Sequence, residues 1–303
     1  MSAELPDEGL EFLETEAIRP ELAELDLAGT AELVALVLAD QHAVDAALAQ
    51  GAQALAEAVD AVAARMRSGG RLIYLGAGTS GRLAAMDAAE IPATFGTDPD
   101  LVVAVTAGGA AALSRAREAT EDDADAAALA LAEIGVGASD SVVGIAASGR
   151  TPFVLGGLRA AHEAGALTIS VANNVGAAVS RIADIAIELP TGAELIAGST
   201  RLKAGTAQKV VLGALSTLVM VRLGRTYGNL MVDMEAGNAK LRDRARRLVA
   251  AATGCDDATA AAILGEAGGS VKVAVVMHLA GVDTTEARRR LAGGASVREA
   301  AGG

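Results

Sequence analysis

Residues 76 to 82 read Gly-Ala-Gly-Thr-Ser-Gly-Arg, the stretch whose residue types and spacing best suit chemistry. An apolar run, Leu72–Leu75, precedes it, and a segment rich in Ala, Leu and Met follows. Strand, glycine turn and helix aim backbone N–H groups and a helix N-terminus at an anion. The glycines permit close approach, and Thr79 and Ser80 add hydroxyl donors. Gly76, Gly78 and Gly81 match G-x-G-x-x-G, which alone is a weak sign of dinucleotide binding. No Asp or Glu ends the next apolar run, Leu101–Val105, to take a ribose hydroxyl. A phosphate monoester fits the hydroxyl pair better. A tight βα turn without a ligand is the plainer alternative. Glu90 stands at the far end of the following helix, so one element carries both a phosphate cradle and a carboxylate.

A second loop, Ala146 to Pro152, repeats the logic with Ser148, Gly149, Arg150 and Thr151, and places Pro152 at a first helical position. Two such loops, each following a strand of one sheet, make a pair of ligand-free capped helices the weaker reading. A third stretch, Gly198 to Lys209, offers its basic residues, Arg201, Lys203 and Lys209, for substrate or subunit contacts, with a solvated helix face as the alternative. The histidines His42, His162 and His278 are far apart and there is one cysteine, so no metal site is expected. Cys255 has no basic neighbour and reads as a buried structural thiol. No G-x-S-x-G elbow supports a serine hydrolase.

The elements that must position these residues follow from periodicity. Five apolar runs have strand length: Leu72–Leu75, Leu101–Val105, Ser141–Ala146, Leu167–Ala172 and Ile185–Leu189. Helical patterns separate them at Arg82–Glu90, Ala111–Ile134, Pro152–Ala164 and Val175–Ile182, and Pro92 is expected to stop the first. The alternation predicts right-handed βαβ units and a doubly wound, five-stranded parallel sheet with helices on both faces. Ligands then bind at the carboxyl ends of the strands, near a switch in strand order. Before the sheet, residues 1 to 28 read as an acidic arm, followed by helices from Thr30 to about Gln50 and from about Ala52 to Met66. After it, a long helix runs from the Gly198 loop to about Leu223. A small helical unit carries Ala258–Glu266, Ser270–Leu279 and Thr284–Leu291, with Asp283 and Glu286 in a capping-box pattern.

The 303 residues suit one large α/β domain with appendages. A formal net charge of −13 argues against nucleic-acid or anionic-membrane partners. An acidic chain must therefore hold a phosphate with local donors. Single-cysteine usage suits a reducing cytoplasm, and the acidic start does not resemble a secretory signal. No stretch of about 18 uninterrupted apolar residues predicts a membrane span.

The stretches GAGTSGR, DAAEIPATFG, GIAASGRTPF, GSTRLKAGTAQK and YGNLMVDMEAGNAKL together resemble the N-acetylmuramic acid 6-phosphate etherases of the sugar isomerase (SIS) domain superfamily. The resemblance runs from about Thr15 through the final helical unit. It implies an N-terminal arm and helix over residues 1–56, an SIS sugar-phosphate domain over 57–225 and a C-terminal helical region over 226–303. It implies a cytoplasmic lyase, without metal or other cofactor, working as a homodimer with its site near the subunit interface. The expected reaction cleaves the D-lactyl ether of N-acetylmuramate 6-phosphate to N-acetylglucosamine 6-phosphate and D-lactate, in cell-wall recycling and amino sugar catabolism. The family's acid/base glutamate falls on Glu90 and its second active-site glutamate on Glu121. Thr79, Ser80, Gly81, Ser148, Gly149, Arg150, Thr151, Ser199 and Lys203 are the expected substrate and phosphate contacts. The sequence departs from the family at Ala110, often Glu there, and along Thr15–Pro20; the resemblance assigns no role to Glu16 or Arg19. A sugar-phosphate isomerase and a non-catalytic sugar-phosphate sensor use the same scaffold. The first usually needs a ring-opening group such as histidine, absent from these motifs; the second could lose both glutamates, and both remain.

Overall fold

The computed structural model describes residues 13–115, 118–234 and 238–302. Its elements, in chain order, begin with helices α1 (Thr30–Asp40) and α2 (His42–Arg67). Then come β1 (Leu72–Gly76), α3 (Gly78–Phe95), β2 (Val102–Thr106), α4 (Ala111–Ser114), α5 (Ala124–Glu133), β3 (Ser141–Ala146), α6 (Pro152–Glu163), β4 (Leu167–Ala172), β5 (Ile185–Glu188) and α7 (Lys203–Arg222). A two-residue ribbon, β6 (Thr226–Tyr227) with β7 (Leu230–Met231), leads to α8 (Ala239–Thr253), α9 (Asp257–Glu266), α10 (Val271–Ala280), α11 (Thr284–Leu291) and α12 (Val297–Ala301).

Strands β1 to β5 form one parallel sheet in the order β2-β1-β3-β4-β5. All five lie within a residue or two of the apolar runs. Leu72, Ile73, Tyr74 and Leu75 are wholly buried, as a central parallel strand requires. Small residues let the helices approach the sheet: a Cβ at Gly144 would meet Leu158 and Val154 of α6 at 2.7–2.8 Å. The strand order reverses between β1 and β3, so the loops after those two strands share one crevice.

The chain divides into two compact units. One runs to Ala88 and resumes from Asp100 to Leu215; the other takes Ala89–Pro99 and the chain from Ser216 onward. The N-terminal helices thus group with the sheet, and Ala89–Pro99 with the C-terminal residues. The second unit has its own core of Val249, Ala260, Val271, Ala274, Val276, Ala287 and Val297. Helices α8 and α12 there add to the three expected. Asp283 caps α11, accepting from Glu286 N at 2.8 Å, but the Glu286 carboxylate turns to Arg289 and Arg290. The complete capping box is Ser296 with Glu299. Cys255 is half-buried, with Thr253 Oγ1 3.1 Å from its sulfur.

Four helix expectations are corrected. Gly51 does not break the N-terminal helix: it is buried where a Cβ would lie 2.8 Å from Leu189 Cδ2, so it serves close packing on β5, and the break falls at Gln41. Pro92 lies inside α3, whose last turn survives because Ile91 and Phe95 are buried and Gly96 N donates to Pro92 O. The pattern over Ala111–Ile134 is two helices, because the Asp123 carboxylate caps α5 by accepting from Ala126 N at 2.9 Å. Residues 116 and 117 between them lie outside the described set, as do 235–237 of the YGNLMVDMEAGNAKL motif. Val175–Ile182 forms turns, since Gly176 N donates to Glu188 Oε1 and Val179 N to Gly149 O. Helix α7 is long and apolar enough to cross a membrane, yet 56% of that window is buried in the protein.

Candidate functional site

A cavity of about 410 Å³ opens where the loops after β1 and β3 meet. The starts of α3 and α6 both reach it, through Gly78–Ser80 and Thr151. Each helix start carries unpaired backbone N–H groups and partial positive charge, so two anion-attracting ends share one space. Gly78 begins α3 at φ +54°, a conformation that L side chains rarely adopt. A side chain there would also strike Glu121 Oε1, 2.8 Å from the Cβ position. The Glu121 carboxylate therefore lies over the β1 loop. Its backbone is fixed by Phe153 N, which donates to Glu121 O at 3.0 Å and ties that loop to α6.

The hydroxyls divide by what they already bind. Ser80 is buried and donates to Gln208 Oε1 at 2.8 Å; Gln208 in turn donates to Asn173 Oδ1 at 2.9 Å. Its proton is engaged, so Ser80 offers an anion its backbone N–H. Ser148 Oγ accepts from Arg150 N at 3.2 Å, leaving its own proton for a ligand. Thr151 stands at the N-cap of α6 without using its hydroxyl to cap it. Thr79 Oγ1 accepts weakly from Arg82 Nη2 at 3.4 Å, and Arg82 also donates to Ala112 O.

Thr79, Ser80, Ser148, Thr151 and Glu121 thus line one cavity. Gly81 and Gly149 lie beneath it as packing positions: a Cβ at Gly81 would meet Thr106 Cγ2 at 2.6 Å, and one at Gly149 would strike Ala177. Arg150, Ser199 and Lys203 are not in its wall. Lys203 is 4% exposed, and its ammonium donates to Asp40 Oδ1 at 3.0 Å and Ala193 O at 2.6 Å. The substrate contact expected of it is thus an ion pair within the chain in this structure. Glu90 is exposed and outside the wall, more than three helical turns beyond Gly78, or about 18 Å of helical rise. Three polar wall residues are missing from the expected contacts: Arg82, Thr200 and Glu16. Arg82 closes the GAGTSGR motif and could have been found there. Glu16 sits in the arm, whose weak periodicity gives no such signal.

Comparisons with known proteins bear on the family and the fold. A family described as "Glucokinase regulatory protein N-terminal SIS domain" matches residues 54–162. The N-acetylmuramic acid 6-phosphate etherase of Rubrobacter xylanophilus is 54% identical over 296 residues, covering 98% of each chain. That of Streptomyces avermitilis is 51% identical over 282 residues, covering 93% of this chain and 91% of the relative. Among solved structures, a phosphoheptose isomerase from Francisella tularensis has a similar fold. Its TM-score is 0.50 at 18% identity, covering 64% of this chain and all of that one. With half of its residues shared over nearly its whole length, the chain belongs to the N-acetylmuramic acid 6-phosphate etherase family.

Proposed function

We propose that this chain cleaves the D-lactyl ether of N-acetylmuramate 6-phosphate, giving N-acetylglucosamine 6-phosphate and D-lactate. The full-length identity to etherases carries the reading. The cavity supports it with two helix starts and the Ser148 and Thr151 hydroxyls for the phosphate, and with a carboxylate beside them. Phosphate binding remote from the reacting carbons orients them for chemistry.

The ether oxygen is on carbon 3, beta to carbon 1. Ring opening exposes an aldehyde at carbon 1 and acidifies the proton on carbon 2. A carboxylate removes that proton, and a carboxylic acid protonates the departing lactate oxygen. Water then adds across the double bond and restores the carbon 3 hydroxyl. Two carboxylates with separated pKa values suffice for these transfers. Glu90 is our choice for the acid that protonates the lactate oxygen and later activates water. Glu121 is the partner base or electrostatic support. Glu90 lies outside its own chain's cavity wall, so we assign its substrate contact to a homodimer in which each copy's Glu90 serves its partner's cavity. The reaction would serve cell-wall recycling in the cytoplasm.

Incubation with N-acetylmuramate 6-phosphate in deuterated, ¹⁸O-labelled water tests the reading. D-lactate release is expected, with deuterium at carbon 2 and ¹⁸O at carbon 3 of the N-acetylglucosamine 6-phosphate; an isomerase or a sensor would release no lactate. Glu90→Gln should lower kcat by at least about 10²-fold. Co-expressing Glu90→Gln with Glu121→Gln should restore part of that loss, because mixed dimers hold one intact site. No restoration would overturn the sharing of Glu90 between copies.

A further inference from the structure

Glu16 is a second carboxylate in the cavity wall, in addition to Glu121. It ends the short helical turn Glu14–Glu16, which is anchored on both sides of it. Before it, Thr15 is wholly buried: Thr15 N donates to Asn174 Oδ1 at 3.3 Å, and Asn174 Nδ2 donates to Thr15 Oγ1 at 2.9 Å. The same Asn174 amide donates to Ala147 O at 3.0 Å, in the loop that carries Ser148. After it, Arg19 donates to Asp40 Oδ1 at 2.6 Å, the oxygen that also holds Lys203. The arm is therefore pinned to the phosphate loop and to the start of α7.

The Glu16 carboxylate rests over a glycine, as that of Glu121 does. A Cβ on Gly198, at φ +72°, would lie 3.1 Å from Glu16 Oε2. Two carboxylates thus occupy the space that side chains at two left-handed glycines would fill. Among the described residues, the Glu16 carboxylate has no hydrogen bond or ion pair. A half-buried carboxylate without a protein donor keeps its acceptor sites for water or a ligand. The ligand of the proposed reaction carries two anionic groups, the phosphate and the lactyl carboxylate, and Glu16 would repel both.

We propose that Glu16 is a further substrate-contacting residue, which accepts hydrogen bonds from the neutral donors of the sugar, its hydroxyls or its N-acetyl N–H. The inference rests on the etherase reading for the identity of that sugar. In this role Glu16 discriminates a sugar phosphate from a bare phosphate, while the loop donors bind either.

Calorimetric titration with N-acetylglucosamine 6-phosphate and with inorganic phosphate, in wild type and Glu16→Gln, tests it. The substitution keeps shape and removes charge. It should weaken the sugar phosphate about 10- to 100-fold, the range for a hydrogen bond to a charged group, and leave inorganic phosphate unchanged or tighter. D-lactate release should lose a similar factor in kcat/KM. Sugar-phosphate affinity within twofold of wild type would overturn the proposal, as would equal loss for both ligands. If Glu16→Gln does not fold, Glu16→Asp decides on the same criteria, because it keeps the charge and shortens the reach. A wild type that shows the affinity split but releases no lactate would retain the Glu16 contact and sink the etherase reading. A wild type that binds neither ligand would sink both.

Discussion

The two ends of the central strands solve opposite problems. At the amino ends of β1 and β3, the polar groups close on one another. Asp140 accepts from Arg71 N at 2.9 Å, from Arg71 Nη2 at 2.8 Å and from Gly137 N at 3.1 Å. Arg71 also donates to Ile134 O and Gly135 O. At the carboxyl ends of the same strands, polar side chains gather around a cavity instead. Glu121 and Glu16 lie over glycines, the Ser148 proton is not used by its own loop, and Thr151 does not cap its helix. Helix starts supply positive potential where a ligand must supply the negative charge. Satisfied pairs stabilise a fold; a hydroxyl proton left over in a crevice, as at Ser148, is what a ligand can complete.

The largest test of that contrast is Glu121→Gln. It should reduce kcat for D-lactate release by at least about 10²-fold while moving the unfolding midpoint little. A variant with normal release, or one whose loss follows unfolding, would erase the distinction between the two ends.

A smaller effect should divide two serines that look alike in sequence. Ser148→Ala removes a free donor, so KM should rise about 10- to 100-fold with stability nearly unchanged. Ser80→Ala removes the partner of buried Gln208 and should cost about 1–3 kcal/mol of stability, with a smaller rise in KM. Equal effects of the two on KM and on denaturant midpoint would mean that hydroxyl bonding does not separate their roles.

That division marks where the sequence stops being legible. The five strands could be read because parallel strands buried on both faces must be continuous apolar runs. The two hydroxyl loops could be read because each sits between a strand and a helix. What could not be read depends on partners distant in the chain. Lys203 looks like a phosphate contact among hydroxyls, and only Asp40, far back in α1, reveals it as a buried ion pair. Glu16 enters the cavity because Thr15 meets Asn174, which no local pattern predicts. Pro92 and Gly51 misled for the same reason: burial of Ile91 and Phe95, and packing against β5, override local preference.

The smallest effect, and the sharpest, is the pH response of two buried carboxylates, one at each end. Burial pushes the Asp140 carboxyl up, but the Arg71 guanidinium and the N–H groups of Arg71 and Gly137 outweigh it and hold it below the ordinary aspartate range. Glu194, in the loop between β5 and α7, is 1% exposed. Burial pushes its carboxyl above the ordinary glutamate range, and bonds from Ala204 N and Lys203 N offset only part of that. The consequences have opposite sign. As pH falls below about 4, the unfolded chain protonates Asp140 first, so its contribution to stability is lost. As pH falls toward about 4.3, the folded chain protonates Glu194 first, so its native state gains. Denaturant unfolding between pH 3.5 and 7 should therefore show the advantage of wild type over Asp140→Asn shrinking at the acid end. Over the same range, the stability of wild type relative to Glu194→Gln should rise. Two differences with the same slope would show that the carboxylates at the two ends of the sheet are not held in opposite ways.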